Sequence, residues 1–180
     1  MGRYVKIVSK SRILGVDILI LITLGTQDKK FNRLLDEVQK QIDLGNIKDE
    51  VIVQAGFSAD YKSKNMTILD LVPMDEFDKM IKKCDLLITH GGVGSIINGL
   101  KHNKKVIAVA RLKKYGEHTN DHQIQIVNNF TEAGYILSLN DGEDLFVKLK
   151  LLKNFKPKKY KSNNKSFVEK LDNKIKSYIN

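Results

Sequence analysis

Apolar and polar positions along the chain fall into two alternating kinds of segment. One kind is a short, nearly continuous apolar run, which is typical of a strand buried in a parallel sheet. Six such runs predict strands: DILILITLG (17–25), EVIVQAG (50–56), MTILDLV (66–72), CDLLITHGG (84–92), KKVIAVA (104–110) and GYILSL (134–139). A further run, YVKIV, is one possible strand within the first 17 residues.

The other kind of segment repeats its apolar residues at helical spacing. The first begins at Phe31, and Gly45 is its predicted C-terminal stop. Further helices are predicted over 74–83, 95–102, 121–133 and 143–152. Strands that alternate with helices of this length indicate right-handed β-α-β units. The expected fold class is therefore α/β, a Rossmann-like open parallel sheet with helices on both faces.

The stretch THGGVGSIINGL (89–100) places three glycines directly after His90. It joins a predicted strand to a predicted helix, whose N-terminal amides and dipole would attract an anion, and glycines would let a phosphate approach the backbone. The alternative is a tight turn in which Ser95 simply caps the helix. A Walker A loop is excluded because no lysine follows Gly94, and the dinucleotide fingerprint because Ile97 replaces its third glycine. A hydrolase G-x-S-x-G is also absent.

A second polar cluster, RLKKYGEHTNDHQ (111–123), follows the next strand and is expected at the same edge of the sheet. His118 and His122 are four residues apart, as zinc ligands on a helix can be, but the glutamate of the metalloprotease motif is missing. We therefore expect no metal site. The cluster suits a helix start capped by Asn120 or Asp121, and its short hydrogen-bonding groups also suit the hydroxyls of a sugar.

A third loop, LGTQD, follows the first strong strand and adds Gly25 and Thr26 at the same edge. In an open parallel sheet, ligands bind outside the carboxyl ends of the strands. Three loops that converge there predict a site for a ligand that is both phosphorylated and polyhydroxylated.

The net charge of +10 is concentrated toward the C-terminus. Residues 148–180 contain 11 lysines against Glu169 and Asp172, and the rest of the chain is nearly neutral. The basic end is either a solvated face or an attraction for an anionic surface, and nucleic acid is disfavoured because no known nucleic-acid-binding motif accompanies the lysines. An amphipathic helix is predicted over 167–179. We divide the chain into an N-terminal extension (1–17), a Rossmann-like domain (18–153), and a basic linker with the final helix (154–180).

Three features bear on the compartment. The single cysteine, Cys84, fits a reducing environment. The longest apolar run is far shorter than the ~20 residues of a membrane span, and the N-terminus lacks a signal-peptide pattern. We expect a cytoplasmic domain that is only peripheral to any membrane.

Together, the motifs LITLGTQ, VIVQAGFS, CDLLITHGGVGSIINGL, YGEHTNDHQ and GYI resemble the C-terminal, donor-binding half of glycosyltransferase family 28, over about residues 18–150. They are most similar to the free-standing small subunits of two-component UDP-sugar transferases of glycan, capsule and exopolysaccharide synthesis. The resemblance implies one half of a GT-B architecture, with the acceptor side on a membrane-anchored partner subunit. It also implies an inverting transfer of a hexose or N-acetylhexosamine from a UDP-sugar to a lipid-linked acceptor, without a metal ion or other cofactor.

The same resemblance implies roles for individual residues. The donor diphosphate is expected at Gly25, Thr26, Gly91, Gly92, Gly94 and Ser95, with His90 beside them. The uracil is expected at Val72, Pro73 and Met74, and the ribose at Asn98, where related enzymes often carry glutamate. The sugar is expected at Glu117, Asp121 and Gln123, and Arg111 is a further expected donor-binding residue.

The catalytic base is the least determined of these roles. His90 and His118 are the candidates within this chain, and the base is otherwise expected on the partner. Two other functions stay open: a non-catalytic nucleotide-sugar-binding or regulatory module, and an interaction module recruited by its basic tail.

Overall fold

The computed structural model of the protein describes residues 17–161. Its strands are β1 (Leu19–Thr23), β2 (Glu50–Gln54), β3 (Thr67–Leu69), β4 (Leu86–His90), β5 (Lys105–Val109) and β6 (Leu137–Ser138). Its helices are α1 (Asn32–Asp43), α2 (Met74–Lys83), α3 (Val93–Lys101), α4 (His122–Glu132) and α5 (Leu145–Leu152). The strands form one parallel sheet in the order β3-β2-β1-β4-β5-β6. The predicted Rossmann-like sheet is confirmed.

Helices cover both faces of the sheet, as predicted. Along β1, Ile20 and Ile22 point into the core beneath α1 and α5, whereas Leu21 points into the core beneath α2, α3 and α4. Ile20 lies opposite Leu86 of β4, in the middle of the sheet. Because both faces of these strands are buried, apolar residues occupy successive positions, 19–22 in β1 and 86–88 in β4, which explains the continuous apolar runs in the sequence.

The edge strands are shorter than the sequence predicts. β3 has three residues and β6 has two, within the apolar runs 66–72 and 134–139. Each of these strands pairs on one side only, so the ends of their runs leave the sheet. Some of the remaining apolar residues still pack in the core: Ile136, for example, is buried on the face of the sheet covered by α2, α3 and α4.

The end of α1 and the start of α3 can be compared with the residues that the sequence predicted as helix stop and helix cap. Gly45 ends α1 as predicted, with φ of 72°, and the N–H of Asn46 donates to the carbonyl of Gln41 across the last turn. α3 begins at Val93, two residues earlier than predicted, with Gly92 at the N-cap position. The prediction of Ser95 as the cap is therefore wrong, because Ser95 lies inside the first helical turn.

The chain leaves the domain along a defined path. The backbone N–H of Lys158 donates to the carbonyl of Gly134 (3.0 Å), and the ring of Tyr160 packs edge-on against Tyr135 (5.8 Å between centroids). Lys158 and Tyr160 both fall within the predicted linker segment (154–180) and pack against the domain. The possible strand YVKIV and the predicted helix over 167–179 lie outside the described residues. Across residues 17–161, no helix is both long and apolar enough to cross a membrane.

Candidate functional site

The order of the strands creates a crevice between β1 and β4. α1 leaves β1 toward one face of the sheet and α3 leaves β4 toward the other, so the loops after these two strands separate. A cavity of about 340 Å³ opens there. Nine residues predicted for the site line it: Gly25, Thr26, Val72, Met74, His90, Gly92, Gly94, Ser95 and Asn98. We call it the switch-point cavity.

One end of the switch-point cavity is the N-terminus of α3. The first intrahelical hydrogen bond runs from the N–H of Ile96 to the carbonyl of Gly92 (3.2 Å), so the amides of Val93, Gly94 and Ser95 have no acceptor within the helix. These amides, the helix dipole and the Ser95 hydroxyl are able to bind an anion, and we call this helix end the candidate anion site. The Gly91 amide donates instead to Gln123 Oε1 and the Gly92 amide to the carbonyl of His90. Of the backbone amides at 91–95, only those of 93–95 are therefore available to donate to a diphosphate.

Each glycine of the motif has a different structural reason. A Cβ at Gly91 would lie 2.9 Å from side-chain atoms of Gln123 and Val127, and a Cβ at Gly92 would lie 2.2 Å from the Nε2 of His90. Gly94 has no neighbour within 4 Å of its Cβ position, although it lines the cavity. Packing explains the first two glycines. Only Gly94 keeps open the space that a ligand needs.

His90 fills the space between two glycine loops. Its ring lies 2.7 Å from the position that a Cβ would take at Gly25, where φ is 81°, and it also contacts Gly92. Nδ1 lies 3.4 Å from the carbonyl oxygen of Thr23, to which a protonated Nδ1 would donate, and 3.5 Å from the hydroxyl of Thr89. Burial, reinforced by the charge of Arg111, lowers the pKa of His90 to about 4. The ring is neutral at pH 7 and is a weak base, so its observed contacts favour a positioning role.

The opposite wall of the cavity is apolar and exposed. Leu71 and Met74 are 51% and 77% exposed, and Val72 and Phe77 complete the wall. Pro73 occupies the N-cap position of α2, and its carbonyl accepts the N–H of Phe77. Such a wall suits a flat ring such as a nucleobase.

The polar cluster 111–123 lies beside the switch-point cavity and does not line it. Arg111 is 1% exposed and braces two loops: its guanidinium donates to the carbonyls of Leu24 (2.7 Å), Lys29 (2.7 Å) and Glu117 (3.1 Å). The guanidinium also lies 5.0 Å from the centre of the Phe31 ring. The prediction that three loops meet in one cavity is thus wrong for this cluster, because its side chains are used to hold the loops together.

Glu117 and Gln123 also hold backbone together. The Glu117 carboxylate is buried, pairs in a bidentate manner with Arg33 (2.9 Å for each bond) and accepts the N–H of Leu112. Gln123 Oε1 accepts the N–H of Gly91 (3.1 Å) and of Arg111 (3.0 Å). Contact of either side chain with a sugar stays a prediction.

The remaining predicted residues of the cluster, Asp121 and His118, do not line the switch-point cavity. Asp121 occupies the N-cap position of α4, but its carboxylate accepts the N–H of Lys113 and lines a separate cavity of about 440 Å³. The Nδ1 of His118 accepts the N–H of Asn120 within the loop. A role for His118 as catalytic base stays a prediction.

Sequence reasoning missed three residues of the switch-point cavity: Gln54, Leu71 and Phe77. Gln54 carried a usable signal, since it is a polar residue that directly follows the apolar positions 51–53 of β2. Leu71 and Phe77 carried none, because apolar side chains in a predicted strand and a predicted helix are equally typical of the core.

The comparison with family models decides the family. The model described as glycosyltransferase family 28 C-terminal domain matches residues 19–178. The chain belongs to glycosyltransferase family 28. The expectation drawn from its motifs is confirmed at this level.

Known proteins are similar to this family 28 domain in sequence and in fold. The UDP-N-acetylglucosamine transferase subunit ALG13 of Candida glabrata is 32% identical over 97 residues, which cover 52% of this chain and 44% of that protein. The subunit of the same name from Candida albicans is 32% identical over 77 residues, covering 43% of this chain and 25% of that protein. The chain thus spans less than half the length of these curated relatives.

Two solved structures share the fold. The solution NMR structure of ALG13 superimposes with a TM-score of 0.55 at 20% identity, covering 86% of this chain and 94% of that one. A UDP-GlcNAc 2-epimerase of Methanocaldococcus jannaschii, solved with UDP-GlcNAc and UDP, superimposes with a TM-score of 0.63 at 17% identity, covering 91% and 46%. Because a transferase subunit and an epimerase share this fold, the fold alone does not determine the reaction.

Proposed function

We propose that this family 28 domain is the donor-binding, catalytic subunit of an inverting glycosyltransferase. It transfers a hexose or N-acetylhexosamine from a UDP-sugar to a lipid-linked acceptor in the synthesis of a surface polysaccharide or glycan. The observation that carries the proposal is the pairing, in one cavity, of the free amides of 93–95 with the apolar wall around Leu71 and Met74. The amides match the charged diphosphate of a nucleoside diphosphate, and the apolar wall matches its nucleobase.

The proposed donor lies across the switch-point cavity. Its diphosphate is bound by the amides of Val93, Gly94 and Ser95, whose fixed dipoles stabilise the charge that develops on the leaving UDP. No metal ion is required for that stabilisation. The nucleobase packs on the Leu71–Met74 wall, and Asn98 lies within the cavity to bind the ribose.

The proposed complex has a second, membrane-anchored subunit that binds the acceptor. The curated relatives are named as subunits of a transferase, which supports a multi-subunit enzyme. Leu71 and Met74, exposed at the cavity, and Val93, exposed at the start of α3, support a surface that a partner covers. We propose that the chain is cytoplasmic and reaches the membrane through this partner.

Binding of UDP to the purified chain tests the donor site. Gly94→Val fills the open space of the cavity, and valine is better tolerated than glycine in a helix, so the fold is retained. We expect Gly94→Val to weaken UDP binding at least tenfold, which is ~1.4 kcal/mol. Gln125→Val, on the exposed side of α4, is the matched control and should bind as the wild type does. Equal affinity of all three proteins contradicts the site.

Sugar transfer by the chain with and without its acceptor-binding subunit tests the enzymatic role. We expect transfer only by the assembled pair. Robust transfer by the chain alone contradicts the two-subunit proposal. The second candidate, a non-catalytic nucleotide-sugar-binding module, is favoured by one observation, the low pKa of His90. It is supported if the assembled pair turns over equally well with Gly94→Val.

A further inference from the structure

Gln54 is a buried polar residue at the switch-point cavity. It ends β2, beside Thr23 of β1, and its backbone carbonyl accepts the N–H of Leu24 (3.0 Å). Only 4% of the residue is exposed, and it lines the cavity. Its backbone is therefore engaged in the sheet, and its side-chain amide is free to serve the cavity.

The side-chain amide of Gln54 forms no hydrogen bond with any of residues 17–161. The other two buried glutamines behave differently: Gln41 donates to Glu37 (2.8 Å) and Asp144 (3.0 Å), and Gln123 accepts two backbone N–H groups. Neither amide atom of Gln54 is among the fully buried unpaired polar atoms of the described residues, so the amide reaches the space of the cavity. A side chain that is largely buried, faces a cavity and has no protein partner is available to pair with a ligand.

The position of the Gln54 amide selects the part of the ligand that it meets. Its Nε2 and the Cδ2 of Leu71 lie 3.7 Å and 3.5 Å from the same point, the Cβ position of Gly56, so the amide lies beside the apolar wall. The candidate anion site follows β4, and β1 separates β4 from β2. Two strand spacings, roughly 10 Å, therefore lie between the strand ends that carry Gln54 and the candidate anion site.

We infer that the side-chain amide of Gln54 forms hydrogen bonds with the edge of the nucleobase and so selects which base is bound. This inference rests on the proposed function, in which the base packs on the apolar wall. A glutamine amide presents one N–H donor and one C=O acceptor side by side and pairs with bases in a bidentate manner. The imide edge of uracil offers the complementary pair, its N3–H and a neighbouring carbonyl. Gln54 is a specificity-determining residue of the donor site.

The test compares UDP with a UDP whose uracil carries a methyl group on N3, which removes the donor of that edge. Gln54→Leu keeps the volume of the side chain but removes both hydrogen-bonding groups. We expect the wild-type chain to prefer UDP about tenfold over the methylated form, because one paired hydrogen bond is lost. We expect Gln54→Leu to bind both ligands with the same weakened affinity. Gln125→Leu, outside the cavity, is the control and should keep the wild-type preference.

The outcomes separate this inference from the proposed function. If Gln54→Leu keeps the preference for UDP, or binds UDP as tightly as the wild type, the inference is wrong while the donor site stands. If the wild-type chain binds no UDP, both fail. Urea unfolding of the unliganded proteins checks the premise independently. Gln54→Leu should be about as stable as the wild type, because the amide that it removes makes no hydrogen bond with residues 17–161, and a clear loss of stability overturns the inference.

Discussion

The side-chain oxygen of Gln123 accepts the backbone N–H of Gly91 at 3.1 Å. The same oxygen accepts the N–H of Arg111 at 3.0 Å, so one side chain from the start of α4 joins the loops that follow β4 and β5. Gly91 and Arg111 are both buried, and neither amide can turn to water if this acceptor is lost. The glycine loop that presents the candidate anion site is thus held in place from the neighbouring strand.

Replacing Gln123 with leucine should destabilise the protein. Two buried amides lose their acceptor, at a cost of roughly 1–3 kcal/mol for each. Gln123→Glu keeps an acceptor oxygen in place and should lose less. Urea unfolding measures both, and the midpoint should fall without a change in slope. Equal urea midpoints for the wild type and Gln123→Leu would contradict the role of Gln123 in joining the two loops.

Gly92 and Gly94 should respond oppositely to alanine. The φ of Gly92 is −79°, which any residue can adopt, but its new Cβ would lie 2.2 Å from His90 Nε2. We expect Gly92→Ala to lose roughly 1–3 kcal/mol by overpacking, as measured by urea unfolding. Gly94→Ala meets open space in the first turn of α3, so it should gain up to about 1 kcal/mol from helix propensity.

A double-mutant cycle shows whether the His90 ring causes the loss. Removing the ring with His90→Ala should make the added Gly92→Ala nearly harmless, so that the two changes are strongly non-additive. Additive effects would mean that Gly92 is needed for a reason other than the His90 ring. They would contradict the close packing of that ring between Gly25 and Gly92.

The fold was predictable because its signals are local and repeated. The continuous apolar runs of β1, β2, β4 and β5 identified the buried parallel strands, and Gly45 marked the end of α1. The edges were less predictable, because the lengths of β3 and β6 depend on pairing partners that no local pattern records. The early start of α3 was missed because its first turn contains Gly94 and Ser95, both of which resemble residues outside a helix.

The parts of the candidate site that are formed by backbone loops were predictable from the sequence. The contacts of its polar side chains were not. The loops at Gly25 and at 90–95 were placed correctly, since strand ends and glycines set their positions. Arg111 and Glu117 were expected at a ligand, but a polar residue type does not say whether it binds a ligand or another part of the chain. Gln54 was missed because only the structure shows that its side-chain amide has no hydrogen-bond partner within the described part of the chain.

Acidification should destabilise the protein through His90. Its pKa is lowered to about 4 in the folded protein by burial and by the charges of Arg111 and His118, against about 6.5 when unfolded. Between these values the unfolded chain binds the proton and the folded chain does not, so stability falls as the pH falls from about 6.5 to 4. The slope contributed by this group is at most about 1.4 kcal/mol per pH unit.

The comparison of wild type with His90→Asn isolates that contribution from those of the carboxylates. Urea unfolding at pH 7.5 and at pH 5 should show a larger loss for the wild type than for the variant. Parallel losses would mean that His90 is as easily protonated in the folded protein as in the unfolded one, and its candidacy as a catalytic base would be strengthened.

Glu117→Ala should act on stability before it acts on catalysis. It leaves the buried N–H of Leu112 without its acceptor and removes one partner of Arg33, which keeps the carbonyl of Ala110 and the carboxylate of Asp141, so we expect a loss of roughly 1–3 kcal/mol. Thermal unfolding measures the loss, and Lys79→Ala, which breaks the exposed pair with Asp75, is a control expected to change little. Loss of sugar transfer with an unchanged unfolding temperature would instead support contact of Glu117 with the donor sugar.

Sugar transfer by the assembled enzyme should survive removal of divalent cations. The positive potential at the donor diphosphate comes from the N-terminus of α3, where the amides of 93–95 point toward the cavity without intrahelical acceptors. These dipoles are part of the backbone, and a chelator does not remove them. Initial rates in excess EDTA should therefore equal those with added Mg²⁺, whereas Ser95→Ala, which removes a hydroxyl at the same helix terminus, should lower the rate in both conditions. A rate that EDTA abolishes and Mg²⁺ or Mn²⁺ restores contradicts metal-independent transfer, and the cation would then take the role assigned to the amides of α3.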